Sequence, residues 1–330
     1  MKNRVELYFC ENPLSKMYHN LAFPLGIIQA NAKSDITPWL CSKYTNCFFI
    51  HKDTPETMFD ICVDDKWALN DRILIEERVV FLKEFYEKMS IDYIELLKKF
   101  ISLGSYPHGD YNEEFIPGKI YYGKRYFEHD YILYGYDDDR EVFLSAGYLK
   151  NQKFQKYEIS YQNMSEALYS LRDERLSFWF LRYNENAELT FDIKKVKKGI
   201  SSYINCENDA VGIKYEYVGL EAIEKLGLYM LNCTENNLMI DLRYTRGVME
   251  HKNFMQMRIK YLLDNGYIDN NTFLTESQEV YKYAENIHML GIKYNFSQKS
   301  SIGKSIYDTI LIMLAKEYKY LNDLEKDLIC

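Results

Sequence analysis

Two kinds of hydrophobic pattern divide the chain near residue 165. Up to that point, short apolar stretches alternate between strand-like and helix-like spacing, with polar turns between them. Beyond it, five long segments carry apolar residues at i, i+3 and i+4, which is typical of amphipathic helices that bury one face. We therefore predict an α+β protein with two domains. An N-terminal domain over 1–165 contains an antiparallel sheet, and a mostly helical domain over 166–330 packs on it.

The clearest strand signal lies at 125–148, which reads RYFEHDYILYGYDDDREVFLSAGY. The residues from Asp130 to Tyr136 are mostly apolar or aromatic, the polar DDDR interrupts them, and EVFLSAGY resumes the apolar run. Two such runs around a short polar turn predict an antiparallel hairpin. The following KFQKYEISY is predicted to add a third strand.

The remaining apolar stretches of the first domain have helical spacing. We predict helices over three segments, 18–31, 72–89 and 92–104. Pro24 must then lie in the first turn of the first helix or kink it. The segment SYPHGDYNEEFIPGK (105–119) is rich in Pro, Gly and Asp and is predicted to be a loop. A further helix is expected to begin near Asn163 or Ser165, since both are good N-caps.

Composition excludes several classes of function. The 330 residues carry a net charge of −8, which argues against a nucleic-acid surface built on clustered Lys and Arg. The N-terminus lacks the apolar core of a signal peptide, and no window approaches the roughly 18 apolar residues of a membrane span. The seven cysteines are odd in number and never paired as CxxC. We therefore expect a cytoplasmic protein with free thiols and predict no metal site and no cofactor.

His129 is the first candidate for chemistry, because it stands at the open end of the predicted hairpin. A histidine at the start of a strand is the position of the base in papain-like cysteine enzymes. In such enzymes the nucleophile lies at the N-terminus of an earlier helix, whose amides and dipole stabilise a thiolate. The helix that starts near residue 18 is the natural place for it. YHNLAFPLGII, however, contains no cysteine.

Two stretches resemble a known family. They are MYHNLAF at 17–23, and HDYILYGYDDDREVFLSAGY at 129–148 with the KFQKYEISYQNMSEAL that follows. They are similar to proteins related to the N-terminal domain of butirosin biosynthesis protein H. These are papain-like acyltransferases of bacterial peptide and aminoglycoside antibiotic pathways, and the amide-forming enzyme of closthioamide biosynthesis is a relative. The resemblance implies a papain-like core with an antiparallel sheet.

The resemblance also implies an activity. An acyl group would arrive as a phosphopantetheine thioester on an acyl or peptidyl carrier protein and pass to a cysteine of the enzyme. A small amine would then attack the acyl-enzyme and form an amide. Neither a nucleic acid nor a membrane is an expected partner. A cysteine peptidase or amidase of the same fold, and a non-catalytic binding protein of a biosynthetic assembly, are the alternative functions.

The residue expected to be the nucleophile is missing. The family places a cysteine just after the HN pair, at about Leu21 or Ala22 in this chain, and Ala22 is taken as the expected nucleophile position. Three explanations stay open. A Cys→Ala exchange of the kind used to trap such enzymes could account for it, the protein could be a natural non-catalytic relative, or Cys10 could take the role. Asp130 is assigned by default as the group that orients His129, although adjacent strand side chains point to opposite faces.

Overall fold

The computed structural model describes residues 3–51, 57–61, 69, 71–89, 92–208 and 215–328. It confirms an α+β protein with an antiparallel sheet and a helical C-terminal half. The elements are, in chain order, β1 (Arg4–Glu6), α1 (His19–Asn31), α2 (Thr37–Cys41), β2 (Phe48–Ile50), β3 (Met58–Asp60), β4 (Leu74–Leu82), α3 (Lys83–Met89), α4 (Tyr93–Ser102), β5 (Tyr106–Asn112), β6 (Glu128–Asp137), β7 (Val142–Tyr148), β8 (Phe154–Ser160), α5 (Tyr161–Tyr169), β9 (Arg175–Tyr183), α6 (Ile193–Ile204), β10 (Tyr217–Val218), α7 (Gly219–Glu235), α8 (Leu242–Asp264), α9 (Thr272–Ser297) and α10 (Ser301–Asp327).

The chain forms two compact units, each assembled from two separate segments. The first unit comprises Met1–Lys33 and Trp67–Glu188, and the second comprises Ser34–Lys66 and Leu189–Cys330. The predicted boundary at residue 165 falls inside α5. The first unit continues beyond it because β9 pairs with both β4 and β5 and so belongs to the same sheet.

The first unit is built on an antiparallel sheet with the strand order β4-β9-β5-β6-β7-β8, and β1 pairs with the far end of β6. The predicted hairpin is confirmed as β6 and β7, and the predicted third strand as β8. One face of the sheet is covered by α4 and α5, whose apolar residues join an aromatic-rich core. That core includes Leu97, Tyr131, Phe143, Leu168 and Phe178.

Helix α1 confirms the helix predicted over 18–31, and it is buried along most of its length. Every residue from Leu21 to Ile28 is buried, including Pro24 inside the helix. Phe9 packs against Gly26, where an added Cβ would come within 2.5 Å of the Phe9 ring. A helix that is apolar all round is suited to the interior of a protein. The N-terminus of α1, at His19, is therefore held firmly in place.

Two predicted elements of the first unit are wrong. Most of the helix predicted over 72–89 is strand β4, which pairs with β9 over nine residues; only Lys83–Met89 is helical. The β-branched pair Val79-Val80 suits a pleated strand, and pairing with β9 prevails over the weak helical pattern. The segment predicted as a loop contains strand β5. Its Gly109 lies where a side chain would come within 3.1 Å of the Ser177 carbonyl oxygen, so glycine here permits close strand packing.

The helix expected near Asn163 is α5, which begins slightly earlier, at Tyr161. The Ser160 side chain caps it by accepting a hydrogen bond from the Asn163 amide. The segment after it, 175–183, forms strand β9 and not a continuation of the helix.

The second unit is mostly helical, as predicted. It contains α2 and α6 to α10 together with a small antiparallel sheet in the order β10-β2-β3. Among the described residues, no helix is both long and apolar enough to cross a membrane.

Candidate active site

Two histidines and an aspartate meet in the first unit. His19 is the first residue of α1, and His129 and Asp130 lie at the start of β6. Oδ1 of Asp130 is 3.1 Å from His19 Nδ1 and 3.3 Å from His129 Nδ1. The two imidazole rings meet edge to face with their centroids 5.0 Å apart. One carboxylate oxygen therefore lies between the two rings.

Local packing explains why His19 reaches this position. Tyr18 precedes α1 in an extended conformation, so the helix begins abruptly at His19. The His19 ring stacks on Phe23, one turn farther along α1, at 4.4 Å, and on Tyr148 of β7 at 5.9 Å. His129 is fixed from the other side, because β6 pairs it with Tyr111 on the neighbouring strand β5.

A second pair of charges extends the cluster. Glu113, directly after β5, has Oε1 3.7 Å from His129 Nδ1 and 3.6 Å from Lys119 Nζ. Both side chains of this pair are almost completely buried. The Lys119 ammonium also lies over the rings of Tyr111 and Tyr157, at 5.6 and 5.2 Å. Five titratable side chains thus form a continuous chain from Lys119 to His19.

Burial and neighbouring charges give the residues of this cluster different protonation states. Burial lowers the pKa of His129 to about 4, with Asp130 opposing the shift and His19 and Lys119 adding to it. His129 is therefore a neutral imidazole near pH 7. Burial by itself would raise the pKa of Asp130, but the two histidines outweigh it and hold that pKa well below its usual range. Asp130 is therefore ionised.

Two other carboxyl groups shift in the opposite direction. Burial raises the pKa of Glu113, although Lys119 works against the shift. Asp110, the cross-strand partner of Asp130, has its pKa raised to about 6 by burial and by the charges of Asp130 and Glu128. Neighbouring carboxyl groups with pKa values pushed apart are a recurrent feature of active sites.

The cluster is partly open and incompletely hydrogen-bonded. The side chains of His129 and Asp130 are 33% and 36% exposed, whereas His19 is almost fully buried. In the described part of the chain, Nε2 of His19 is buried without a hydrogen-bond partner, whereas the Nδ1 atoms of both histidines face the Asp130 carboxylate. Because Nδ1 of His129 is buried, the accessible part of that ring is the side away from Asp130. This cluster can therefore accept a ligand from solvent.

The structure brings the predicted site residues His129 and Asp130 together and places the other candidates, Ala22 and Cys10, on or beside α1. Ala22 is fully buried in α1, three residues after His19, and it is the His19 ring that contacts His129. The amide of Cys10 bonds to the Gly26 carbonyl oxygen. Gly26 is seven residues beyond His19, or about 10 Å along the helix axis at 1.5 Å per residue. Cys10 therefore lies well away from the start of α1.

Sequence reasoning missed two members of the cluster and undervalued a third. Glu113 and Lys119 fall in the segment predicted to be a loop, where nothing in the local pattern points to a site. His19 was visible next to Asn20, but its approach to His129 depends on the packing of α1 against the sheet. A metal ion could be held by His19, His129 and Asp130, whose candidate ligand atoms all lie within 4.8 Å of one another.

No protein-family model matches the chain, and no curated protein matches it significantly.

Proposed function

We propose that the first unit is an acyltransferase that forms an amide from a carrier-bound thioester and a small amine. The observation that carries this proposal is the ionised Asp130 beside His129, a neutral and partly exposed imidazole. A carboxylate near Nδ1 orients a histidine so that its other nitrogen can accept a proton. This dyad is suited to deprotonating an amine as it attacks a carbonyl carbon.

The proposed reaction has a simple balance. The amine nitrogen attacks the thioester carbonyl and forms a C–N bond, while His129 takes one proton from the nitrogen. The C–S bond then breaks, and the carrier thiolate receives the proton from the histidine. The products are an amide and a free carrier thiol. A thioester is reactive enough for this exchange to proceed without a nucleotide cofactor.

Direct transfer is proposed in place of a cysteine acyl-enzyme. The covalent route implied by the family resemblance needs a thiol at position 22, where this chain has a buried alanine. Cys10 lies beside Gly26 and not beside the start of α1. A papain-like core is part of the proposal, and it is supported by the position of the α1 N-terminus next to the strand residue His129. In this chain that helix position carries His19.

The test uses an acyl-phosphopantetheinyl carrier protein and a small diamine, with amide formation followed by mass spectrometry. The unmodified chain should form the amide faster than the carrier and amine do without it. Ala22→Cys tests the covalent route, because a thiol that takes part would leave an acylated protein detectable by mass. No amide from either form would refute the acyltransferase proposal. Release of free acid instead of amide would indicate the peptidase or amidase alternative.

One observation favours a second candidate function. The described residues around His129 provide no thiol, so the unit could bind an acylated carrier without reacting with it. The carrier would then bind with an affinity that His129→Ala leaves unchanged, and no turnover would be seen. Measuring carrier binding and turnover on the same preparation separates the two functions.

A further inference from the structure

Three side chains of the first unit bring potential ligand atoms together around one carboxylate oxygen. His19, His129 and Asp130 each offer one such atom, and these lie within 4.8 Å of one another. His19 is 5% exposed, and its Nδ1 faces Oδ1 of Asp130 at 3.1 Å. Nδ1 of His129 is buried and faces the same oxygen at 3.3 Å. Two imidazole nitrogens that converge on one carboxylate in a largely buried place are an arrangement that a metal ion can bind.

We propose that His19, His129 and Asp130 form a binding site for a zinc ion, and that zinc bound there inhibits the proposed acyl transfer. The inhibition rests on the proposed function, whereas the binding site does not. Two imidazole nitrogens and a carboxylate oxygen are a common zinc ligand set, which leaves a fourth position for water.

The spacing of the ligand atoms fits zinc. Zn–N bonds of about 2.0–2.1 Å in a tetrahedral site place neighbouring ligand atoms roughly 3.3 Å apart. Oδ1 of Asp130 already lies 3.1 and 3.3 Å from the two Nδ1 atoms. The two nitrogen ligands must approach each other by a small rotation of the His129 side chain, which is one-third exposed although its backbone is fixed in β6. His19 is fixed by its stacking on Phe23 and so provides a rigid side of the site.

The charged side chains next to the site are compatible with a bound cation. The Lys119 ammonium is 3.6 Å from the Glu113 carboxylate, so the positive charge next to the site is locally balanced. Glu113 Oε1 is also 3.7 Å from His129 Nδ1, close enough to complete the coordination or to hold a bound water. Nitrogen ligands favour zinc over magnesium or calcium, which prefer all-oxygen sites.

Zinc at this site would stop the proposed chemistry for a direct reason. Zinc bound to Nδ1 of His129 leaves the ring proton on Nε2, so Nε2 no longer has a lone pair for the proton of the amine, and Asp130 no longer orients His129. Zinc is thus a reversible inhibitor here and not a participant in the reaction.

The binding test uses the metal-free full chain titrated with zinc chloride against a chromogenic chelator. We expect one ion per chain, with an affinity at least about a hundredfold lower in His19→Ala and in Asp130→Asn, since even residues behind the ligands cost 10–100-fold when changed. His51→Ala, an exposed histidine of the second unit, is the matched control and should leave the affinity unchanged. X-ray absorption of the zinc-bound protein should show nitrogen and oxygen ligands with two imidazoles.

Three results would overturn the site: no zinc binding, an affinity that both cluster variants leave unchanged, or sulfur in the coordination sphere. The absorption spectrum of the unmodified chain keeps the test valid even if His19→Ala does not fold. For the inhibition, amide formation should fall in step with zinc occupancy and return with a chelator. Turnover at saturating zinc would refute inhibition. If zinc binds as described but the metal-free chain forms no amide, the site stands and the acyltransferase proposal fails.

Discussion

Each unit of the chain contains a cluster of titratable side chains, and the two clusters are built in opposite ways. In the second unit, Lys252 and Glu317 are both completely buried, with Nζ and Oε2 2.6 Å apart. The Tyr203 hydroxyl donates to the same Oε2 atom at 2.9 Å and accepts from Lys252 at 2.6 Å. In the first unit, His129 and Asp130 are about one-third exposed.

The two clusters also differ in the surroundings of their buried histidines. His251, next to Lys252, has Nε2 3.0 Å from the Thr45 carbonyl oxygen, so its ring is fixed within the interior. His19 is almost as buried, but its Nδ1 faces Asp130, a carboxylate that is one-third exposed to solvent. A cluster closed off from solvent specifies packing, whereas an ionised cluster that solvent can reach is open to a ligand. The difference assigns structure to the second cluster and chemistry to the first.

The largest expected effect tests the chemical role of the first cluster. His129→Ala should lower the rate of amide formation by roughly 10²–10⁴-fold, the usual contribution of a positioned base. Stability should change little, because the ring is one-third exposed and its partner Asp130 is also partly exposed to solvent. Rate and urea unfolding are measured on the same sample. A variant that unfolds more easily but keeps its turnover would make His129 a structural residue like those of the second cluster.

The strands that carry this site can be predicted from the sequence more readily than the set of side chains that form it. The hairpin β6–β7 is predictable because the apolar runs and the polar turn are local signals. Helix α1 is predictable for the same reason, from its continuous apolar stretch. His19 and His129 are 110 positions apart, however, and only the packing of α1 on the sheet brings their rings together.

Two strands of the fold cannot be predicted from local sequence, because pairing with distant strands determines them. Pro107 and Gly109 suggest a loop, yet β5 is held on both sides by β6 and β9. The misread segment also carries Glu113 and Lys119, so the error in secondary structure concealed two charged residues of the site. Strand β4 reads as a helix until its pairing with β9 is known. In each case long-range strand pairing overrides the local pattern.

The next effect tests the structural role of the second cluster. Lys252→Met leaves the Glu317 carboxylate buried without its cation, which should cost about 3–5 kcal/mol in the free energy of unfolding. The double variant Lys252→Met, Glu317→Gln removes both charges and should recover most of that loss. Urea unfolding of the three proteins measures the difference. Amide formation by the folded fraction of each variant should stay unchanged; a selective loss of turnover would mean that the second cluster also contributes to activity.

The smallest expected effect is the pH dependence of stability that arises from titratable groups of the first cluster. His129 has its pKa lowered from 6.5 to about 4 by burial, so between these values the unfolded chain binds more protons and stability falls as the pH falls. Asp110 has its pKa raised from 3.8 to about 6, so the folded chain binds more protons there and stability rises as the pH falls. The two groups lie in one site and oppose each other within the same pH range.

Two substitutions should separate these opposing contributions. Between pH 7 and pH 4.5, His129→Gln should lose less stability than the unmodified chain, by on the order of 1–2 kcal/mol once solvent screening of the partly exposed ring is allowed for. Asp110→Asn should lose more. The buried His251, whose pKa is also lowered by burial, contributes equally to all three proteins and cancels in the comparison. Urea unfolding at several pH values gives the slopes, and equal slopes for the three proteins would show that neither group senses burial in the folded site.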